Sequence, residues 1–282
     1  MYEKFFNFKE KPFKLVPNPA YLYLSKNHEE TLAHLNYALA EGDGFVEITG
    51  EVGTGKTTLC RAFLENLDPN TTAAYIFNPR LGPRQLIRAI NDELGIRYDA
   101  EDTKDLIDKL NAFLIHKKAR RKKVILLIDE AQNLSRKVLE QLRLLSNLET
   151  NQEKLLQIIL VGQPELGEIL DAHELRQLSQ RITLRYHLSP LDHKETAAYI
   201  RYRINIAAQN AEIKFTRSAL RQIYKYSRGI PRVINIACDR SLLTAFGRNR
   251  QIITGSMVRD TIKELMGSGA TGIFALTGWN KA

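Results

Sequence analysis

The sequence predicts an α/β protein with a doubly wound parallel sheet, followed by a smaller helical domain. Three observations predict this fold class. Strand-like and helix-like stretches alternate between Phe45 and Leu188. The stretch Val124–Ile128 is apolar at every position, which is typical of a parallel strand covered on both faces. After Ser189-Pro190 only helical periodicity continues. Regular alternation of strands and helices is the pattern of a doubly wound sheet.

The chain opens with an aromatic and proline-rich arm over residues 1–26, where Phe, Tyr, Lys and Pro are interleaved. Proline prevents a long helix there. So many aromatic side chains are expected to be buried rather than left in water. We therefore predict an extended arm that packs onto a globular body.

The segment 27–190 carries the alternating elements of the sheet. Helices are predicted where apolar residues recur three or four positions apart, and strands where short apolar runs end at turn residues. The predicted helices are 27–42, 59–67, 86–94, 106–114 and 139–148, the last of them placed as early as residue 131. The predicted strands are Phe45–Thr49, Ala73–Phe77, Val124–Ile128, Leu155–Val161 and Ile182–Leu188.

The segment 191–266 is predicted to be an all-helical domain, because no strand pattern follows Leu191. Its predicted helices are 192–210, 216–227, 231–247 and 256–266. From Gly267 the chain mixes Gly, Ala and Thr with single aromatic residues, and we expect residues 267–282 to form a loose tail.

The composition indicates a soluble globular protein. The chain has 282 residues, of which 44% are hydrophobic and 26% charged, enough for one large domain or two small ones. A net charge of +9 admits an acidic partner without requiring one. The two cysteines, Cys60 and Cys238, are expected to be reduced and buried, with no metal-binding spacing. No apolar run has the length of a membrane span and no signal peptide is visible, so a cytoplasmic location is expected.

A phosphate-binding loop is the most specific motif. Residues 50–57, Gly-Glu-Val-Gly-Thr-Gly-Lys-Thr, match G-x-x-x-x-G-K-[ST] in full, between a predicted strand and a predicted helix. The glycines let backbone N–H groups converge on phosphate oxygens. Lys56 would reach the terminal phosphates of ATP, and the Thr57 hydroxyl would hold Mg²⁺. The candidate nucleotide-binding residues of the loop are Gly50, Glu51, Val52, Gly53, Thr54, Gly55, Lys56, Thr57 and Thr58.

An acidic pair completes the predicted hydrolytic site. Asp129 and Glu130 directly follow the buried strand Val124–Ile128. At the strand's end Asp129 could hold Mg²⁺ opposite Thr57. Glu130 lies one residue further and points elsewhere, where it could activate the attacking water as a general base. An apolar strand followed by Asp-Glu favours a hydrolysing P-loop protein over a small-molecule kinase.

These residues resemble the AAA+ ATPases, over about residues 25–266. The resemblance implies a P-loop AAA+ base with a helical lid, ATP and Mg²⁺ as ligands, and self-association into an ATP-dependent oligomer. In that family a polar residue at the tip of the next strand senses the γ-phosphate. Here that strand leads to Gln163, where family members more often carry Asn, Ser or Thr.

The resemblance also implies roles for three arginines. The family places an arginine near the end of the helix before the last strand, directed at a neighbouring subunit's site. Arg181 is the favoured candidate and Arg176 the second. In the lid, Arg228-Gly-Ile-Pro-Arg232 resembles the second sensor motif. Proline near the first helical position would start a helix there and place Arg232 over the γ-phosphate.

A narrower resemblance is to the GspA/ExeA ATPases of type II secretion. It rests on Asn7-Phe8 through Pro12-Phe13, on Asp129-Glu-Ala-Gln-Asn133 and on Val161-Gly-Gln-Pro-Glu-Leu166. Those proteins usually continue into a transmembrane helix and a periplasmic peptidoglycan-binding domain. In length this chain is closer to a cytoplasmic relative from type IV (mannose-sensitive haemagglutinin) pilus biogenesis. The resemblance implies an ATPase that drives or switches pilus or secretion assembly, with a membrane-anchored subunit as partner and a peripheral position at the inner membrane.

Two other functions stay open. One is a DNA-binding AAA+ ATPase similar to transposition regulators and replication loaders, which have the same Asp-Glu-Ala-Gln motif. The other is an adaptor in which ATP stabilises an oligomer without turnover, a reading that Gln163 keeps open. The basic run His116–Lys123 could contact DNA or anionic lipid, but a solvated turn before a buried strand is favoured. No helix-turn-helix, zinc or RNA-binding motif accompanies it, so nucleic acid is not the favoured partner.

Overall fold

The structure is a computed structural model. It describes residues 2–16, 18–42, 44–77, 79–98, 102–149, 154–209 and 213–267. The chain divides into two compact units. The sheet unit comprises His28–Gly50 and Cys60–Leu188, and the lid unit comprises Met1–Asn27, Glu51–Leu59 and Ser189–Ala282. The predicted boundaries between arm, base, lid and tail stay a prediction. Beyond Gly267 the predicted tail lies outside the described residues, as does Pro17 of the arm.

The sheet unit contains a five-stranded parallel sheet in the order β2-β3-β4-β1-β5. Its strands are β1 (Phe45–Gly50), β2 (Thr71–Phe77), β3 (Lys123–Asp129), β4 (Gln157–Gly162) and β5 (Ile182–Leu188). Every predicted strand is present, and each predicted end lies within two residues of the observed one. With helices packed on both faces, the predicted fold class is confirmed.

The central strands are buried because their side chains alternate between two hydrophobic clusters. Leu126 of β3 lies beside Ile158 of β4, and both face one cluster. Ile125 and Ile159 belong to the opposite cluster. Since both faces of a parallel sheet are covered by helices, strands that are apolar throughout are favoured over alternating ones.

The helices follow the predicted periodicity. They are α1 (Tyr2–Phe5), α2 (Lys26–Glu41), α3 (Lys56–Glu65), α4 (Pro83–Glu93), α5 (Thr103–Ala119), α6 (Arg136–Leu145), α7 (Glu165–Leu170), α8 (Arg176–Ser179), α9 (His193–Ala207), α10 (Arg217–Ser227), α11 (Pro231–Gly247) and α12 (Gly255–Gly267). The start of α6 as early as residue 131 was wrong, because Glu130 takes a left-handed conformation and a single 3-10 turn, Ala131–Asn133, precedes the helix. The short α7 and α8 were not predicted.

The lid unit has its own core, formed by α9 to α12 and the arm. Besides the helices it carries a small parallel sheet of two strands, β6 (Lys214–Phe215) and β7 (Ile252–Ile253). Two residues are too few to show the period-2 alternation by which a strand is recognised, so the sequence did not predict them. In the described part of the chain, no helix is long and apolar enough to cross a membrane.

The arm packs on the lid helices through its aromatic side chains and through Arg203. Four arm aromatics are buried in the lid core: Tyr2, Phe6, Phe8 and Phe13. The arm starts with the helical turn α1, so it is not extended throughout. The buried Arg203 guanidinium of α9 donates to the carbonyl oxygens of Pro12 (2.7 Å) and Lys14 (3.2 Å). A buried charge of this kind is stable only when its donors are satisfied, which fixes the arm's path.

Candidate nucleotide site

The phosphate loop begins where β1 ends. Gly50 is the last residue of β1 and α3 begins at Lys56, so the motif occupies the strand-to-helix connection that the sequence predicts. Gly53 has φ +85° and Gly55 has φ +108°, conformations that L side chains rarely adopt. Thr57, the last residue of the motif, and Thr58 lie in the first turn of α3. A helix N-terminus preceded by such a loop is suited to bind phosphate oxygens.

The lysine of the loop is buried against the loop backbone. Lys56 is 6% exposed, and its Nζ donates to the carbonyl oxygen of Glu51 at 3.0 Å. The Thr54 hydroxyl donates to the same carbonyl at 2.9 Å. The side chains of the loop thus hold its curvature from within. A buried ammonium beside converging N–H groups makes the loop electropositive, as binding of a polyphosphate requires.

The lid motif meets the loop at Gly53. Pro231 occupies the first turn of α11, as predicted. The backbone N–H of Arg232 donates to the carbonyl oxygen of Gly53 at 3.2 Å. A Cβ on Gly53 would lie 2.6 Å from Cβ of Arg232. The Arg232 side chain is exposed, and no hydrogen bond from its guanidinium is found among the described residues. The predicted second-sensor arginine therefore lies beside the loop with its donors available.

Replacing Gly53 with Ala tests this close approach. We expect ATP affinity to fall by more than about 10-fold (about 1.4 kcal/mol), because Ala combines an unfavourable φ with a clash against Arg232. Gly42→Ala is the matched control, since Gly42 also has positive φ but a Cβ there would meet no atom within 4 Å. It should cost stability of about 1 kcal/mol and leave binding unchanged. Equal affinity in both variants, measured by titration calorimetry, would contradict the contact.

The acidic pair lies at the end of β3 in the sheet unit. Asp129 is fully buried, and its Oδ1 accepts from the backbone N–H of Glu130 at 2.9 Å. The Tyr75 hydroxyl lies 3.3 Å from Oδ2 of Asp129. Burial, with the Asp129 carboxylate second, raises the pKa of Tyr75, so its phenol stays a hydrogen-bond donor. The position of Asp129 suits a ligand for Mg²⁺, since carboxylate oxygen is a ligand type that this ion prefers.

Glu130 has a conformation that separates its side chain from that of Asp129. Its φ of 55° lies in the left-handed region, which is uncommon for a residue with a Cβ. Such backbone outliers persist where the surrounding structure holds them, often at functional sites. The Gln132 amide Nε2 donates to Oε2 of Glu130 at 2.6 Å, and Nε2 of Gln163 lies 3.4 Å from the same oxygen. The structure therefore brings together the predicted base and the predicted sensor.

Gln132 and Tyr75 are site residues that the sequence analysis did not identify. Gln132 belongs to the quoted Asp-Glu-Ala-Gln motif, so its spacing from Glu130 was the available signal. Tyr75 gave no signal, because its contact with Asp129 depends on the pairing of β2 with β3.

The two candidate trans arginines differ in their surroundings. Nη1 of Arg181 donates to the Arg143 carbonyl oxygen (3.2 Å), to Oγ of Ser146 (2.6 Å) and to Oδ1 of Asn147 (2.6 Å). These acceptors lie at the C-terminal end of α6, where a cation is favourable. Arg176 is exposed at the start of α8, and no hydrogen bond or ion pair of its side chain is found in the described ranges.

The parallel sheet order, the phosphate loop after β1 and the acidic pair after β3 define a P-loop nucleotide-binding fold of the AAA+ class. An AAA-domain family profile matches residues 39–170. The chain is similar to general secretion pathway protein A of Aeromonas hydrophila, with 51% identity over 259 residues. The match covers 91% of this chain and 47% of the relative, so the chain spans about half the relative's length. The resemblance to the GspA/ExeA family is thereby confirmed.

Solved structures support the same fold at low sequence identity. The Aeropyrum pernix ORC2 protein in its ADP form matches with a TM-score of 0.69 and 18% identity, covering 92% of this chain and 73% of that one. Cdc6p of Pyrobaculum aerophilum matches with a TM-score of 0.66 and 20% identity, covering 88% of this chain and 71% of that one. The RuvB Holliday junction branch migration motor of Thermotoga maritima matches with a TM-score of 0.58 and 20% identity, covering 86% of this chain and 70% of that one.

Proposed function

We propose that this chain binds Mg-ATP and hydrolyses it to ADP and phosphate. The observation that carries the proposal is the phosphate loop, with two left-handed glycines and a buried lysine held by its own backbone. A cradle of main-chain N–H groups at a helix N-terminus suits a triphosphate. Fold likeness alone would not assign a function, so the proposal depends on these residues.

We assign the binding roles to the loop and the lid. The backbone of residues 50–58 holds the phosphates, Lys56 pairs with the terminal ones, and Arg232 responds to the γ-phosphate. Thr57 and Asp129 are the proposed protein ligands of Mg²⁺. The ion would neutralise charge on the phosphate oxygens.

Glu130 is the proposed general base. Its carboxylate takes a proton from water while the water oxygen attacks the γ-phosphorus. The bond from that phosphorus to the β–γ bridging oxygen breaks, and ADP leaves with the electron pair. Gln163 is the proposed sensor, and its 3.4 Å approach to the Glu130 carboxylate supports this role. Its longer side chain compared with Asn, Ser or Thr does not prevent that approach.

We propose that the ATPase serves assembly of a type II secretion apparatus or of a related type IV pilus. The 51% identity to a general secretion pathway protein supports this assignment. A membrane-anchored subunit is the proposed partner, which would place a cytoplasmic chain peripherally at the inner membrane. Nucleic acid is less favoured, because Lys117 and Lys123 of the basic run donate to Thr72 and to the end of α2.

Of the two candidates for an arginine acting on a neighbouring subunit, Arg181 and Arg176, we propose Arg176. Capping of α6 occupies Arg181, whereas Arg176 is exposed. We expect Arg176→Ala to lower kcat by about 100-fold or more, since such arginines contribute about 10³-fold or above. Arg181→Ala should instead lower the free energy of unfolding by about 1 kcal/mol, because it removes three hydrogen bonds at the end of α6, one of them to the buried Ser146. Steady-state turnover and urea denaturation distinguish the two.

Mixed oligomers test the assembly directly. Subunits carrying Arg176→Ala keep Glu130, and subunits carrying Glu130→Gln keep Arg176. If the arginine acts in trans, mixing the two inactive variants restores part of the phosphate release. Light scattering with and without ATP gives the oligomeric state of each sample. No recovery on mixing, in a protein that stays monomeric with ATP, would remove the trans role. Absence of multiple turnovers in the unmodified protein would favour the ATP-stabilised adaptor instead.

A further inference from the structure

A single side-chain amide links the end of β3 to the tip of β4. Gln132 lies in the 3-10 turn Ala131–Asn133 and is half-buried. Its Nε2 donates to the Glu130 carboxylate at 2.6 Å, and its Oε1 accepts from the backbone N–H of Gln163 at 3.1 Å. The two bonds use opposite ends of one planar group.

Only a primary amide of this length satisfies both partners. A carboxylate accepts hydrogen bonds and does not donate, whereas a backbone N–H donates and does not accept. The group between them must therefore present a donor to Glu130 and an acceptor to Gln163. A Glu at position 132 would place two carboxylates together, and an Asn is one methylene shorter. The orientation of the Gln132 amide is fixed by its partners.

Gly162 leaves the space that this amide occupies. A Cβ built on Gly162 would lie 2.8 Å from Oε1 of Gln132 and 2.9 Å from Cδ2 of Leu166. Contacts below 3.0 Å require a shift, and because both atoms are the far ends of flexible side chains, a Cβ here would displace them, the Gln132 amide included. The absence of a side chain on Gly162 thus lets the Gln132 amide lie where it bonds both partners.

The amide also determines which oxygen of Glu130 is available. Oε2 of Glu130 accepts the hydrogen bond from Nε2 of Gln132 and also lies near Nε2 of Gln163. In the described part of the chain, no group forms a hydrogen bond to Oε1. A general base must present an oxygen within hydrogen-bond reach of the water it deprotonates. Holding Oε2 fixes the carboxylate plane and leaves Oε1 for that water.

We infer that Gln132 is a positioning residue that couples the general base to the tip of β4. The inference rests on the proposed function, since it needs Glu130 to act as the base. Any shift of the main chain at Gln163 is transmitted through the Gln132 amide to the carboxylate. Contact between Gln163 and a terminal phosphate would in this way orient the Glu130 carboxylate. When that contact is lost, the carboxylate would be free to move.

The primary test is Gln132→Met, which keeps the length and removes both hydrogen bonds. We expect kcat for ATP hydrolysis to fall by about 10- to 100-fold, part of the roughly 10²–10⁴-fold that a general base contributes. KM and the ATP dissociation constant should stay within about twofold, because only the chemical step is affected. Gln85→Met is the matched control: it removes one exposed glutamine hydrogen bond, to Gly82, and should leave turnover unchanged.

Two further variants guard against a folding defect. Gly162→Ala keeps Gln132 but displaces its amide, and should lower kcat in the same way. In the Glu130→Gln background, adding Gln132→Met should cause no further loss, because a positioning residue acts only through its base. Wild-type kcat in Gln132→Met and Gly162→Ala, with Glu130→Gln inactive, would overturn the inference and leave the proposed function standing. Full turnover in Glu130→Gln would overturn the proposed function itself.

Discussion

Lys56→Ala is expected to lower ATP affinity by at least about 100-fold. Lys56 is the buried cation of the phosphate loop, and its Nζ lies 3.0 Å from the Glu51 carbonyl oxygen. Removing it would delete the proposed charge-assisted hydrogen bond to phosphate, worth about 1.5–3 kcal/mol. It also removes the bond that holds the loop's curvature, so preorganisation is lost together with charge.

Titration calorimetry with ATP measures the effect. Lys225→Ala is a suitable control, because Lys225 is an exposed lysine in the last turn of α10. It changes net charge by the same amount and should leave affinity unchanged. Lys56→Arg should bind ATP only slightly better than Lys56→Ala, because a guanidinium is larger than an ammonium and has a planar shape. An ATP affinity within threefold of wild type in Lys56→Ala would refute phosphate binding by this loop.

Much of the sheet could be predicted from local pattern alone. A strand such as Val124–Ile128 must be apolar on both faces, and that requirement is visible in five consecutive residues. The phosphate loop was equally predictable, because its chemistry demands glycines and a lysine at fixed positions. Pro231 marked the start of α11 for a local reason, the fixed φ of proline.

The parts that were missed depend on contacts between distant residues. The role of Gln132 requires the tip of β4 to lie beside the end of β3, which follows from strand order rather than from the motif. The delayed start of α6 follows from the left-handed Glu130, and no propensity rule assigns that conformation to a glutamate. Neither the side-chain contacts of Gln132 nor the backbone conformation of Glu130 can be read from the local sequence pattern.

The surroundings of the two candidate trans arginines also depend on contacts between distant residues. Sequence position near the end of a helix made Arg181 the first candidate for a trans role. Its guanidinium instead bonds three groups at the end of α6, about 35 residues earlier in the chain. A helix C-terminus attracts cations because its last carbonyl groups are unpaired. These contacts support Arg176 as the proposed trans arginine, and the trans role of Arg181 stays a prediction.

Glu130→Gln is expected to lower turnover by about 10²- to 10⁴-fold, the usual contribution of a general base, with ATP binding retained. The variant is nearly isosteric, and an amide oxygen can still accept from Nε2 of Gln132 at the position that Oε2 occupies. The network around the site is therefore preserved while the group that accepts a proton is lost. Phosphate release under multiple turnover, alongside calorimetric titration of ATP, separates the two effects.

The control for Glu130→Gln is Glu168→Gln, which changes an exposed glutamate of α7 in the same unit by the same chemistry. It should leave both turnover and binding unchanged. If Glu130→Gln keeps the nucleotide bound, the proposed ATP-dependent oligomer should persist longer in this variant than in the wild-type protein. A parallel loss of ATP binding would indicate that Glu130 supports the loop rather than the chemistry. In that case hydrolysis would need another base, and the inference on Gln132 would lose its partner.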